Sequence, residues 1–237
     1  LPYHTCMMHT EGIRDVIRYI RKFKGSTIVI RMDDDVVDSP LFSSHIHDLA
    51  LLHETGIRIV LIPGAHEHIS RVLDSYGIAW KIENTIRITS DEGMNFIKMA
   101  AFDVSNRIMT RLSAEGLTAV IGNWVRARGR GVLDGTDFGS AGFVDKIQLD
   151  SLLTALEDGF IPIIPCIGWT STGKPYNISS TELAVATATA LKAGKLFFLG
   201  SGNTISIDDF TIPESASLSP EGRLAALSVE SIDEFLE

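Results

Sequence analysis

The 237-residue chain carries 45% hydrophobic residues, enough for a sizeable core, which excludes wholesale disorder. Its net charge of −9, from 21 basic and 30 acidic side chains, argues against nucleic acid as a general partner, because phosphate contacts need a basic surface. No apolar run reaches membrane-span length, no signal-peptide pattern opens the chain, and Cys6 and Cys166 form no metal-ligand spacing, so a cytoplasmic protein with reduced thiols and no membrane partner is expected.

In chain order, Ile13, Val16, Ile17, Ile20 and Phe23 recur at helical spacing and predict an amphipathic helix ended by Gly25. Thr27–Ile30 reads as a first buried strand. A helix through Ile46, Leu49, Ala50 and Leu52 closes at Gly56, and "IRIVLIPG" (57–64) reads as a second strand. A helix through Ile69, Val72 and Leu73 ends before Gly77, and "IAWKIENTIRIT" alternates around Glu83-Asn84 as a hairpin. Thr89-Ser90-Asp91-Glu92 offers a capping box for a long helix to about Glu115. "LTAVIG" is another strand, and the glycine-rich stretch from Trp124 to Ile147 reads as a β-hairpin excursion rather than core. A helix (Leu149–Glu157), the strand "FIPIIPCIG", a turn at Thr172-Gly173-Lys174, a helix from Ser180 and the strand "KLFFLG" follow. The chain opens on Leu1 rather than Met and stops on the helical pattern "SVESIDEFLE", which reads as a fragment of something longer.

Strands alternating with helices across short Gly-marked turns predict an α/β fold with a mostly parallel sheet and helices on both faces. Ligands bind such sheets at the carboxyl ends of strands, which singles out Met32–Asp35, Pro63–His68 and Asn177–Glu182, with the hairpin at Arg87 beside them. The first of these turns is unusual: "IVIRMDDDVV" leaves the sheet on one arginine and three carboxylates, Asp33, Asp34 and Asp35. That run offers hard-metal ligands or, more simply, a solvated turn with local Asx hydrogen bonds. The histidine pairs His45/His47 and His66/His68 are spaced i, i+2 on or beside helices, unlike a zinc-binding i, i+4 pair, and predict no metal site. Arg126, Arg128 and Arg130 alternate along "WVRARGRG" and share one strand face, a solvated strip by default.

The stretches "LLHETGIRIVLIPGAHEHI", "NTIRITS", "DFGSAGFVDKI" and "GFIPIIPCIGWTSTGKPYNISSTELAVATATALKA" resemble the amino-acid kinase family. Within it they are most similar to acetylglutamate kinase and to the kinase-like domain of N-acetylglutamate synthase. The resemblance implies a three-layer αβα sandwich truncated at its C-terminus. Residues 1–25 would form an N-terminal helix of the oligomer- and arginine-binding type. Residues 26–237 would form the kinase-like domain without its last αβ segment.

Working kinases of the family carry Lys-Gly-Gly at the first turn, where backbone N–H groups approach phosphate and the lysine neutralises it. The matching positions are Arg31, Asp33 and Asp34. Like charges about 4 Å apart cost on the order of 1–4 kcal/mol at intermediate dielectric, so the cradle reads as disabled. Glu182 stands where those kinases have an aspartate, and Ser179-Ser180-Thr181-Glu182 is itself a capping box. "GSGNTIS" replaces the nucleotide-side motif. The expected catalytic set is therefore empty, with degenerate positions Arg31, Asp33, Asp34 and Glu182.

The substrate side is better kept: Gly64, Ala65, His66, Arg87 and Asn177 match residues that hold acyl-amino-acid carboxylates in the family. Tyr19 matches an aromatic residue of the arginine-sensitive relatives' first helix. The resemblance implies a regulatory, oligomerising domain upstream of an acetyltransferase domain, with L-arginine or an acyl amino acid as ligand. No cofactor is expected in this domain, acetyl-CoA belonging to the parent. The alternatives are a divergent acetylglutamate kinase using MgATP, and an amino-acid-sensing module without catalysis.

Overall fold

The computed structural model describes residues 3–200, with side chains from residue 12 onward, and the short strands at 217–218 and 224–226. Two compact units result, Leu1–Gly200 and Ser201–Glu237. In chain order the first unit comprises α1 (Tyr3–Phe23), β1 (Thr27–Met32), α2 (Asp34–Val37), α3 (Phe42–Glu54), β2 (Arg58–Pro63) and α4 (His66–Ser75). There follow β3 (Lys81–Glu83), β4 (Ile86–Ile88), α5 (Asp91–Ala114), β5 (Ala119–Ile121), β6 (Val125–Gly129), β7 (Val132–Leu133), β8 (Thr136–Asp137) and β9 (Gly142–Ile147). The unit closes with α6 (Leu149–Glu157), β10 (Ile161–Ile163), β11 (Ile167–Trp169), β12 (Pro175–Asn177), α7 (Ser180–Leu191) and β13 (Lys195–Leu199). In the second unit, β14 (Ser217–Leu218) pairs antiparallel with β15 (Leu224–Ala226).

The central sheet runs β13-β1-β2-β10-β5 and is parallel throughout. Strands buried on both faces need apolar residues at consecutive positions, which is why "TIVIRM" and "RIVLIP" are near-continuous hydrophobic runs. Side chains alternate between faces. Ile28, Ile30 and Met32 join Ile46, Ile69, Ile97 and Val104 in one core layer. Val29, Val60 and Ile62 join Leu152, Leu156, Leu183 and Ala184 in the other. The result is the expected αβα arrangement.

Three local expectations are corrected. The 124–147 segment is not an excursion from the core: Trp124, Val125 and Ala127 are buried, and β6 and β9 belong to a second sheet ordered β12-β11-β6-β9. "FIPIIPCIG" is two strands in two sheets, β10 in the first and β11 in the second. Pro165 separates them, a residue that cannot donate to a ladder. The cap of α5 is Ser90, whose Oγ accepts from Gly93 N–H at 3.0 Å, while Thr89 is buried one residue earlier. The "SVESIDEFLE" pattern lies outside the described residues.

The apolar stripe of α1 does not pack on the sheet. Among its described side chains Ile13, Val16 and Ile17 are exposed, and Phe23, at the helix's end, packs against the core. Among the described residues no helix is long and apolar enough to cross a membrane.

Candidate functional site

A cavity of about 610 Å³ opens at the carboxyl ends of the strands, bounded by the β3–β4 hairpin, the start of α4, the end of β12 and the start of α7. That volume lies within the usual range for small-ligand clefts. Arg31, Ala65, His66, Arg87, Arg130, Asn177 and Glu182 all line it.

At one end sits Arg87, 6% exposed. β4 delivers it inward because Ile86 and Ile88 take the opposite face of the strand. Its Nη2 donates to His66 O at 3.1 Å and Ser70 Oγ at 2.8 Å, and its guanidinium lies 4.2 Å from the centroid of the Trp80 ring. Nη1 is buried without a hydrogen-bond partner among the described residues. Burial pushes the guanidinium's pKa below its ordinary value. A buried charge with an unused donor is costly until an acceptor arrives, and a carboxylate matches a guanidinium with two parallel hydrogen bonds. The lip above it is strained: Asn84 (φ 49°) and Thr85 (φ 65°) form the hairpin tip, and Thr85 is β-branched in the left-handed region.

At the other end the cavity is lined by Arg31, behind which lies the triple-aspartate turn, not a solvated loop. Asp34 is 3% exposed and its Oδ2 accepts from His68 N–H at 2.7 Å, placing a carboxylate at the amino end of α4. Asp33 accepts from Arg31 Nη1 at 2.9 Å, with Nη2 on its other oxygen, and Arg31 Nε donates to Ser180 Oγ at 3.0 Å. A Cβ on Gly64 would overlap Asp33 Oδ1, and one on Gly200 would lie 2.8 Å from Oδ2. The carboxylate therefore lies between the ends of β2 and β13, where only glycine leaves room. Burial pushes the Asp33 pKa up, against the opposing pull of Arg31.

Between the two ends, α7 is tied to the second sheet. Glu182 Oε2 accepts from Arg130 Nη2 at 2.6 Å, and Oε1 accepts from Val144 N–H at 2.9 Å. The predicted capping box is therefore half-formed: Ser179 Oγ takes Glu182 N–H at 3.4 Å, but the glutamate's own carboxylate turns to β9 instead. Nor is the arginine strip a single surface. Arg128 pairs with Asp145 at 2.7 Å, Arg130 enters the cavity, and Arg126 faces Gln148.

Of the residues expected to hold a substrate, Ala65, His66, Arg87 and Asn177 line one cavity. Gly64 faces Asp33 instead. Asn177 Nδ2 is 3.4 Å from Thr89 Oγ1, across the cavity floor from Arg87. Tyr19 lies away from this cavity and packs on Phe23, ring centroids 4.6 Å apart, with Lys195 Nζ 5.0 Å from its ring. His47 Nδ1 meets Glu115 Oε2 at 2.9 Å, and His68 Nε2 meets Asp103 Oδ2 at 3.0 Å. Among the described residues no group of three His, Cys, Asp or Glu side chains is placed to hold a metal ion. Buried Cys166 also lines the cavity, its thiol pushed up to about 12 by burial. Sequence reasoning missed the pairing of Arg31 with Ser180 and the role of Arg130. The one available signal was the alternation that puts Arg130 on the same face as Arg126 and Arg128.

This fold and cavity define a class. The model of the amino acid kinase family matches residues 18–232, and the chain belongs to that family. Curated relatives include the amino-acid acetyltransferase of Shigella flexneri, 31% identical over 84% of this chain and 47% of its own length. That of Pasteurella multocida is 34% identical over 75% of this chain and 42% of its own length. The chain thus spans about half the length of these relatives.

N-acetylglutamate synthase from Neisseria gonorrhoeae, complexed with coenzyme A and N-acetyl-glutamate, is structurally similar at TM-score 0.79 and 27% identity. The match covers 95% of this chain and 51% of that one. The same synthase with coenzyme A and L-arginine gives 0.75 at 27% identity, covering 94% and 52%. Carbamate kinase from Giardia lamblia, at TM-score 0.55 and 10% identity over 77% and 72% of the two chains, shares the fold alone.

Proposed function

We propose that this chain is the kinase-like regulatory and oligomerisation domain of an amino-acid N-acetyltransferase acting at the entry to arginine biosynthesis, without kinase activity of its own. The observation that carries the reading is the Asp33 carboxylate held by Arg31 between Gly64 and Gly200, at the turn where kinases of the family bring phosphate. In the parent, a separate downstream domain transfers acetyl from acetyl-CoA to glutamate. The kinase-like domain binds a carboxylate ligand at Arg87, His66 and Asn177, an acyl amino acid by preference.

L-arginine is the proposed regulator, acting at the N-terminal helix around Tyr19. The exposed Ile13, Val16 and Ile17 stripe of that helix is proposed to be covered by a second copy of the chain. Similarity to the synthase complexed with L-arginine supports the regulator, and the unused Arg87 Nη1 supports the carboxylate ligand.

The test is an ADP-release assay with MgATP and N-acetyl-L-glutamate, run beside thermal unfolding with L-arginine. No turnover above the blank and a saturable rise in Tm with arginine are expected. Turnover abolished by Arg31→Ala would establish the divergent kinase instead.

A further inference from the structure

We infer that Asp33 sets the specificity of the cavity through Arg31, which lines it: the Asp33 carboxylate, beside the cavity at the end of β1, is the resident anion on that guanidinium, and it makes the cavity accept a single carboxylate and refuse phosphate. The inference rests on the reading of the cavity as a non-catalytic carboxylate site and names what sets its selectivity.

Four observations carry it. The space between the ends of β2 and β13 is kept open by Gly64 and Gly200, and the group filling it is the chain's own carboxylate. The cation facing that space is anchored independently, because Arg31 Nε is held by Ser180 Oγ. The neighbouring anion position, the amino end of α4, is likewise filled from within by Asp34 on His68 N–H. Finally, the charges lining the cavity pair off. Arg31 is matched by Asp33 and Arg130 by Glu182, while Arg87 has only neutral hydrogen-bond partners. One uncompensated buried guanidinium selects one negative charge. A phosphate arriving at Arg31 would have to displace a carboxylate already in bidentate contact and held nearby by the backbone.

Taking the Asp33 carboxylate away should therefore expose a working anion site rather than an empty hole. Asp33→Gly frees both the charge and the volume, and Asp33→Asn frees the charge alone. Both variants are expected to fold, since Asp33 makes no side-chain cap to α2 and Arg31 keeps Ser180. The probe is inorganic pyrophosphate at matched ionic strength, read by thermal unfolding of the full chain.

Asp33→Gly is expected to show a saturable rise in Tm. Its apparent Kd should be at least roughly tenfold tighter than that of the unsubstituted chain, with Asp33→Asn in between. Arg31→Ala added to Asp33→Gly should abolish the response. A flat response in a folded Asp33→Gly chain overturns the inference, as does pyrophosphate binding by the unsubstituted chain within roughly tenfold of the Asp33→Gly affinity. Failure of both variants to fold also overturns it, by making Asp33 a structural strut. None of these outcomes bears on N-acetyl-L-glutamate binding at Arg87 or on ATP turnover, whose results judge the underlying reading separately.

Discussion

The two ends of the cavity hold the same side chain in opposite circumstances. Arg31 stands near the carboxyl end of β1 and Arg87 in the middle of the hairpin strand β4. Arg31 is neutralised by a carboxylate two residues on, just past the end of its strand, whereas Arg87 is buried against Trp80, Ser70 and a carbonyl, its Nη1 without a partner among the described residues. The first end has an anion from the chain itself, and the second has only neutral hydrogen-bond partners among the described residues. Under the proposed function, one end is kept for ligand and the other is closed from within. The two glycines beside the first end, Gly64 and Gly200, leave room for the Asp33 carboxylate and for no added side chain.

The comparison can be broken most severely at Arg87. Arg87→Ala should cost a carboxylate ligand about 2–5 kcal/mol of binding, the range for truncating one partner of a buried charged pair. Calorimetric titration with N-acetyl-L-glutamate would read this as loss of measurable heat. Next comes the tie between α7 and the second sheet. Glu182→Ala strips the partner from Arg130 and from Val144 N–H, and should lower stability by about 1–3 kcal/mol, visible as a lower urea midpoint.

Gly64→Ala should cost about 1–3 kcal/mol because its Cβ meets the Asp33 carboxylate. The same substitution in an Asp33→Gly background should be nearly neutral. A double-mutant cycle that finds no such coupling would separate Gly64 from Asp33 and weaken the account of the closed end. The smallest effect is expected at the lip over Arg87. Thr85→Gly relieves a left-handed β-branched residue and should raise stability by roughly 0.5–1 kcal/mol, net of glycine's greater chain entropy.

The pH dependence of the two ends differs in sign from an ordinary ion pair elsewhere on the surface. Asp38 is held below the usual carboxylate range by hydrogen bonds from Arg71 and Arg107, so its contribution is present above the unfolded carboxylate pKa and lost as pH falls through the lower folded one. Asp33 is pushed up by burial, so its charged form opposes folding once pH rises through the raised value. Acid titration of stability in Asp38→Asn should therefore flatten below about pH 4, whereas Asp33→Asn should remove a loss of stability on the alkaline side of that range.

Much of the fold was legible because its signals are local. Apolar runs such as "IRIVLIP" need no partner to be read as buried strands, and Ser179 marks a helix start through its own hydroxyl. Family likeness placed Arg87, His66 and Asn177 around one cavity. What could not be read depends on contacts distant in sequence. The core role of Trp124 and Val125 follows from the second sheet they build with β11, some 40 residues away, not from their glycine-rich flanks. Glu182 satisfies a local capping pattern but obeys the backbone of β9. Asp33 and Asp34 look like a hydrophilic turn in one dimension. Only the packing of β1 between β2 and β13, and of α4 beside them, turns their charges inward.

The most direct measurement is a pair of thermal-unfolding titrations of the unsubstituted chain, one with N-acetyl-L-glutamate and one with MgATP. A ligand bound only by the folded state raises stability by about 2.7 kcal/mol at a hundredfold excess over its Kd. The account predicts a saturable rise in Tm with the carboxylate, lost in Arg87→Ala, and a flat response to nucleotide into the millimolar range. A saturable rise with MgATP, or no rise with the carboxylate, would contradict it.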